Sequence, residues 1–129
     1  MYLLDTNVCI DFALGRSDPL RARVRAARPF GLAISTITLA ELRVGARSPD
    51  ADPDDDRRLD LLISTLAVAP FDASAAEAYG QLGRAIGIKR KSFDRLIGAH
   101  ALALRLTLVS NNDGDFGGIP GLAVENWTR

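Results

Sequence analysis

Four acidic residues are the part of this chain best suited to chemistry. They are far apart in the sequence, at Asp5, Glu41, Asp94 and Asp115. Each falls where an open α/β fold would bring it to one end of the same sheet, which is the edge where such folds bind ligands. Hard divalent cations prefer oxygen ligands, which carboxylates supply. The four acids therefore predict a divalent-metal site.

Asp5 follows a short apolar run at residues 1–4 that has the length of a strand, and it precedes a stretch that can be helical. The carboxylate is thus expected at the C-terminal end of a strand, where open α/β sheets bind ligands. A local explanation is also available, because Asp and Asn are preferred N-caps. Asp5 or Asn7 could simply cap the following helix.

Glu41 lies in a predicted helix over residues 36–46. Helical spacing places it on an apolar stripe that we expect to face inward. The stripe comprises Ile37, Ala40, Glu41 and Val44. An acid on such a stripe needs a reason, and Thr38 and Glu41 also match a capping box. If Ser35 or Thr36 starts the helix instead, Glu41 lies in mid-helix and the capping explanation fails.

Asp94 is predicted in the first turn of an almost wholly apolar helix over residues 93–105, with Ser92 as its N-cap. It lies one turn before Ile97 and two before Ala101, on a face too apolar for ordinary surface. The favourable interaction of an acid with a helix N-terminus is the local alternative.

Asp115 belongs to a polar run, residues 110–116, that follows a strand-like segment at 107–109. The Asp-Gly pair beginning at Asp113 is a strong turn signal and accounts for that acid without chemistry. It accounts less well for Asp115. A plain turn is thus the local alternative, whereas Asp115 is the fourth of the acids that predict the metal site.

These motifs, in this order and spacing, run through the whole chain. They are LDTN at 4–7, ITLAEL at 37–42, FDRLIGAHA at 93–101, SNN at 110–112, DF at 115–116, IPG at 119–121 and VENW at 124–127. Each is weak alone, but the ordered set is specific. The chain resembles PIN-domain ribonucleases, and among them the VapC toxins of bacterial toxin–antitoxin pairs.

The resemblance implies a three-layer α/β fold with a mostly parallel sheet flanked by helices, in a single domain over residues 1–129. It also implies Mg²⁺ or Mn²⁺ held by the acids and endonucleolytic cleavage of RNA. The implied partners are an RNA substrate, a second copy in a homodimer, and a cognate antitoxin that blocks the acidic pocket with a cationic side chain.

The resemblance further implies a role for each polar residue. Asp5 and Asp94 are expected to bind the metal directly, Asp115 directly or through water, and Glu41 to orient or deprotonate the attacking water. The expected supporting polar groups are Thr6 and Ser110 or Asn112. Where many relatives carry another acid, this chain has Asn112.

A second departure from the family is the basic segment Lys89-Arg90-Lys91, which stands where relatives often have a Gly-Pro turn. Because the formal net charge is zero, RNA binding would depend on local basic clusters rather than on bulk charge. We expect these three cations, so close to Asp94, to bind RNA phosphates. Another basic stripe, at Arg21, Arg25 and Arg28, has no such link to the acids. The two departures leave open a PIN fold that binds a partner without cleaving RNA.

The acidic run at 50–56 resembles a calcium loop but fails its pattern, since the sixth position is Asp55 and the twelfth is Leu61. We expect Asp52 to cap a helix that begins at Pro53 and ends near Thr65. A second helix over 73–86 is expected to pack through a small-residue face. That face would comprise Ala76, Tyr79, Gly80 and Gly83.

The overall composition fits a globular domain with a substantial core: 129 residues, 47% of them hydrophobic. The single cysteine, Cys9, and the lack of a signal-like or membrane-length apolar run predict a cytoplasmic protein. The only histidine, His100, is predicted to lie in the core with one hydrogen bond. A receiver-type signalling module would need paired acids after its first strand, and an aspartyl phosphohydrolase would need Asp where the chain has Asn7.

Overall fold

The computed structural model describes residues 1–46 and 52–129, which form a five-stranded sheet with packed helices. The strands are β1 (Tyr2–Leu4), β2 (Leu32–Ser35), β3 (Ala67–Ala69), β4 (Thr107–Val109) and β5 (Val124–Glu125). The helices are α1 (Thr6–Ala13), α2 (Asp18–Ala27), α3 (Thr36–Ala46), α4 (Pro53–Ile63), α5 (Ala73–Ile86), α6 (Asp94–Leu104) and α7 (Asp113–Phe116), with a 3₁₀ helix at Arg28–Phe30.

The sheet has the strand order β3-β2-β1-β4-β5, and each pairing within the described ranges is parallel. Parallel sheets are covered on both faces, and their strands read as apolar runs. In β1, Leu3 and Leu4 are both fully buried, yet they belong to separate core clusters. Leu3 packs in the cluster that contains Ile97, whereas Leu4 packs in the one that contains Val8. This arrangement confirms the predicted three-layer α/β fold.

Local capping signals set several helix starts as predicted. Asp5 accepts a hydrogen bond from the Val8 amide and caps α1, while Asp52 caps α4 by accepting from the Asp54 amide. Pro53 is the first residue of α4, which ends at Ile63, two residues before the predicted Thr65. The predicted bounds of α5 are confirmed. The first two residues of the acidic run 50–56 lie outside the described residues.

The capping-box alternative at Thr38 and Glu41 is excluded, because α3 begins at Thr36 and Glu41 lies in mid-helix. The Ser35 hydroxyl instead accepts from the Ile37 amide. The predicted inward stripe is also wrong, since Thr38 is fully buried while Val44 is 76% exposed. The face of α3 that packs against the rest of the fold is therefore rotated from the face that the hydrophobic pattern predicted. An apolar strip of this helix is left exposed to solvent.

Three smaller predictions also change. The N-cap of α6 is Phe93 rather than Ser92, although the Ser92 hydroxyl accepts from the Asp94 amide at 3.2 Å. In α5 the buried residues are Ala75 and Leu82, whereas Ala76 of the predicted packing face is exposed. The segment for which a plain turn was the local alternative contains the short helix α7.

His100 lies in the core, as predicted, with 1% of its surface exposed. Its Nδ1 is 2.8 Å from the Ser35 hydroxyl, and its ring meets that of Phe71 edge-on. Burial lowers the pKa of His100, which favours the neutral ring. None of the helices in the described ranges combines the length and hydrophobicity that crossing a bilayer requires.

Candidate active site

The carboxyl ends of β1 and β4 bring two polar residues together. Leu4 is paired with Val109, so that the next residues along the two strands are Asp5 and Ser110. The Asp5 amide donates to the Val109 carbonyl at 3.0 Å, which extends the ladder to the point where the acid begins. Such an edge, beside the central strand of a parallel sheet, is where α/β folds bind ligands.

Asp5 is buried, with 4% of its surface exposed. One carboxylate oxygen, Oδ1, accepts from the Val8 amide at 2.8 Å, and the Ser110 hydroxyl also bonds to the carboxylate. Burial nevertheless raises the pKa of Asp5, and the negative charges of Asp11 and Glu41 raise it further. The two hydrogen bonds oppose this rise. A buried carboxylate beside other acids is a favourable place for a cation, which would offset the cost of the charge.

Glu41 approaches Asp5 from α3, the helix that follows β2. Its Oε1 accepts from the Thr6 hydroxyl at 2.7 Å. The Oγ1 atoms of Thr6 and Thr38 are 3.3 Å apart. Thr6 directly follows Asp5 in the chain, so its bond fixes Glu41 beside the end of β1. The structure therefore brings together four of the residues named from the sequence: Asp5, Glu41, Thr6 and Ser110.

Asp94 opens α6 and is half-buried. Because α6 leads into the parallel strand β4, the start of the helix lies toward the carboxyl edge of the sheet. Phe93, the residue before Asp94, lines the same cavity as Glu41. Ile97 and Ala101, which follow one and two turns later, are buried as predicted.

The fourth predicted acid, Asp115, lies on α7, three residues past the end of the SNN motif. The backbone of Asp115 belongs to this short helix, but its side chain lies outside the described part of the chain. Asn112, predicted as a supporting group, is exposed, and its amide donates to the Ser110 hydroxyl at 3.0 Å. That bond and the one to Asp5 together orient Ser110.

The donor atoms at this edge of the sheet are oxygens, the type that hard divalent cations prefer. No three Asp, Glu, His or Cys side chains in the described part of the chain are arranged to hold an ion by themselves. Mg²⁺ does not require that, since one or two carboxylates with waters and substrate phosphate are its usual ligands. Asp5 and Glu41 supply all-oxygen ligands, and the raised pKa of Asp5 marks a charge that a cation would stabilise. The residues therefore fit a hard divalent cation.

An open, largely apolar cavity of about 380 Å³ adjoins the acids. Its lining residues are Ile37, Ala40, Glu41, Val44, Gly45 and Phe93. Val44 is 76% exposed and Phe93 is 53% exposed. The basic residues Lys89, Arg90 and Lys91 are also exposed, in the segment that leads from α5 to Phe93. Cations and apolar surface thus flank the acidic edge on this side.

The sequence alone missed three polar contacts of the site. Asn111 donates through Nδ2 to Asp11 Oδ2 at 2.6 Å. The negative charge of Asp11 in turn raises the pKa of Asp5. Thr38 contributes a buried hydroxyl beside Thr6. Asp11 carried no motif signal, because its partner lies 100 residues away and becomes adjacent only when β1 pairs with β4.

A family model and individual relatives of known name place the chain in the same protein family. The PIN domain model matches residues 2–122. The chain is 34% identical to Ribonuclease VapC2 of Rickettsia felis, covering 100% of this chain and 99% of the relative. It is 33% identical to the tRNA(fMet)-specific endonuclease VapC of Shigella flexneri, with 98% of each chain covered.

Solved structures agree with these relatives. The structure of VapBC2 from Rickettsia felis, bound to a promoter DNA fragment, matches with a TM-score of 0.87 at 33% identity, covering 98% of each chain. The DNA-bound VapBC of Salmonella typhimurium matches with a TM-score of 0.86 at 33% identity, covering 98% of this chain and 97% of the other. The chain belongs to the PIN-domain family and, within it, to the VapC ribonucleases.

Proposed function

We propose that this protein is a metal-dependent endoribonuclease that acts as the toxin of a type II toxin–antitoxin pair. The observation that carries the proposal is the buried Asp5 carboxylate, with its raised pKa, beside Glu41 at the carboxyl edge of a parallel sheet. Full-length similarity to ribonucleases of the VapC group supports the same reaction.

The proposed metal is Mg²⁺ or Mn²⁺, bound by Asp5 and Asp94 directly and by Asp115 directly or through water. When bound, the ion supplies Lewis acidity that activates water and offsets negative charge on the scissile phosphate. Glu41 orients the attacking water or takes its proton, and Thr6 holds the Glu41 carboxylate through the 2.7 Å bond. Ser110 holds Asp5, and Asn112 supports Ser110 through its amide.

The proposed substrate is RNA, and Lys89, Arg90 and Lys91 are proposed to contact its phosphates. Relatives from Shigella flexneri and Salmonella typhimurium are named as tRNA(fMet)-specific endonucleases, which makes an initiator tRNA the first substrate to test. We place the protein in the cytoplasm, where that substrate occurs.

The proposed partners are a cognate antitoxin and a second copy of this chain. One similar solved structure is a toxin–antitoxin complex from Klebsiella pneumoniae, and a cationic antitoxin side chain would pair favourably with Asp5 and Glu41. Exposed apolar surface at Val44 and Phe93 would be covered if two copies packed through that face. Sedimentation of the purified toxin measures the oligomeric state directly.

The decisive experiment incubates the pure protein with cellular RNA, with and without Mg²⁺ or Mn²⁺, and sequences the new ends. We expect cleavage at defined positions that needs the metal and is lost in Asp5→Asn. Asp18→Asn is the matched control, because Asp18 is an exposed first-turn acid of α2. A folded wild-type protein that produces no new ends with either metal would favour a PIN fold that only binds its partner.

A further inference from the structure

A hydrogen bond between α1 and the segment after β4 has no part in the roles described so far. Asn111 Nδ2 donates to Asp11 Oδ2 at 2.6 Å, between residues 100 positions apart. Asp11 lies on α1, the helix that Asp5 caps. Its other carboxylate oxygen, Oδ1, is 3.4 Å from Arg16 Nη1, in an ion pair at the surface. Asp11 thus has two partners: Arg16, which is close to it in the chain, and Asn111, which is next to Ser110 of the candidate site.

The segment that Asn111 belongs to carries several groups of the site. Ser110 precedes Asn111 and bonds to Asp5, whereas Asn112 follows it and donates its amide to the Ser110 hydroxyl. One residue later α7 begins, and this helix contains Asp115. Asn111 is therefore the middle residue of the three-residue connection between β4 and α7, the helix that contains the predicted fourth acid.

We propose that Asp11 is a positioning residue. By accepting the Asn111 hydrogen bond, it holds the segment that follows β4 in place, so that Ser110 stays in contact with Asp5. The proposal rests on the proposed ribonuclease function, since the groups that it positions are those assigned to that reaction. A charge-assisted hydrogen bond with both side chains part-buried is strong enough to select one arrangement of a short connection. Partners of this kind, one layer behind metal-binding groups, change activity by about 10- to 100-fold when they are removed.

An electrostatic explanation competes with the positioning one. The negative charge of Asp11 raises the pKa of Asp5, so that Asp11 could affect activity through this charge alone. The two explanations differ for Asp11→Asn, which loses the charge but keeps a side-chain oxygen that can accept from Asn111. They agree for Asp11→Ala, which removes both the charge and the acceptor.

The test compares Asp11→Ala, Asp11→Asn, Asn111→Ala and the double alanine variant, by kcat and KM for RNA cleavage. We expect kcat to fall about tenfold in each alanine variant, with KM unchanged and no further loss in the double variant. Asp11→Asn should retain wild-type kcat. Arg16→Gln is the matched control, because it removes the ion pair of Asp11 and leaves the Asn111 bond.

A second readout does not depend on activity. Hydrogen exchange of the Asn112 amide, which bonds to Ser110, should be about tenfold faster in Asp11→Ala and Asn111→Ala than in wild type, and unchanged in Asp11→Asn. The Val8 amide, which bonds to Asp5, serves as the internal reference for an intact α1.

Either of two results overturns the proposal: wild-type kcat and exchange in Asp11→Ala, or equal damage in Asp11→Asn and Asp11→Ala. The second result would assign the effect to charge. If wild-type protein cleaves no RNA, the proposed function fails, and the exchange rates alone then decide whether Asp11 fixes this segment.

Discussion

The Thr6 hydroxyl donates to Glu41 Oε1 across 2.7 Å and so joins the first turn of α1 to the middle of α3. The two residues are 35 positions apart. Thr6 follows the buried Asp5 directly, and Glu41 acts on the charge of Asp5. One hydroxyl therefore helps to hold Glu41 close to Asp5, although the two carboxylates repel each other.

This bond leads to the first prediction. Thr6→Val keeps the shape of the side chain but leaves Glu41 without its donor, and we expect kcat for RNA cleavage to fall about tenfold. Thr6→Ser retains the hydroxyl and is the matched control, with activity close to wild type. Equal activity in Thr6→Val and wild type would show that Glu41 needs no such support.

The second prediction concerns metal binding and stability. At Mn²⁺ about tenfold above its dissociation constant, mass action stabilises the fold by roughly 1.4 kcal/mol. For a domain of this size that raises the melting temperature by a few degrees. A thermal scan of metal-free protein with added Mn²⁺, Mg²⁺ or Ca²⁺ measures the shift. A shift with Ca²⁺ only, abolished by replacing acids in the run 50–56, would show that the metal site was assigned wrongly.

The third prediction is that Asp94→Asn abolishes RNA cleavage while the protein stays folded. The substitution keeps the size of the side chain and removes a charge from the proposed metal site, so that stability should be unchanged or slightly higher. Circular dichroism and thermal melting test the fold beside the cleavage assay, with Asp18→Asn as the control. Cleavage by a folded Asp94→Asn protein would remove Asp94 from the catalytic set, whereas loss of folding would favour a structural role for its carboxylate.

The fourth prediction follows from the raised pKa of Asp5. In the folded protein Asp5 binds a proton more readily than in the unfolded chain, whose pKa is near 3.8. Without metal, the buried charge lowers the free energy of unfolding above the folded pKa. That free energy increases as pH falls through the folded pKa toward 3.8.

Asp5→Asn should therefore be more stable than wild type near neutral pH in the presence of a chelator, and this advantage should shrink as pH falls. The capping bond is retained because Asn is a good N-cap. Urea denaturation across the acidic range measures the difference. Asp72→Asn, at the exposed N-cap of α5, is the control. If the stability difference between Asp5→Asn and wild type does not change with pH, protonation of Asp5 does not cause it.

The fifth prediction concerns Lys89, Arg90 and Lys91, which are all exposed. Replacing the three by Ser should weaken RNA binding and reduce the slope of log affinity against log salt by about one to two units, at ~0.7 per phosphate contact on single strands. The affinity for Mn²⁺ should be nearly unchanged. Replacing the exposed Arg21, Arg25 and Arg28 removes the same charge elsewhere and is the matched control.

An opposite result would change the role of these cations. If the triple variant keeps its RNA salt slope and binds Mn²⁺ more tightly, the three side chains neutralise the acidic pocket rather than contact phosphates.

Much of the fold could be predicted because its signals are local. Capping by Asp5 and Asp52 depends on residues within three positions in the chain; the sequence alone predicted the Asp52 cap and offered capping by Asp5 as an alternative role. Short apolar runs in the sequence predicted the strands, and the polar residues that follow these runs predicted the carboxyl edge of the sheet. The order of the motifs likewise predicted the family.

The contacts within the site depend on the tertiary structure. Thr6 meets Glu41 across 35 positions and Asn111 meets Asp11 across 100, and no periodic pattern encodes either distance. Hydrophobic spacing also chose the wrong face of α3, because the rotation of a helix is decided by what it packs against, and Val44 ended in the open cavity. The sequence by itself determined which residue types and element ends were available. Only the pairing of β1 with β4 and the seating of α3 decided which of them touch, since strand register and helix rotation depend on contacts between distant segments.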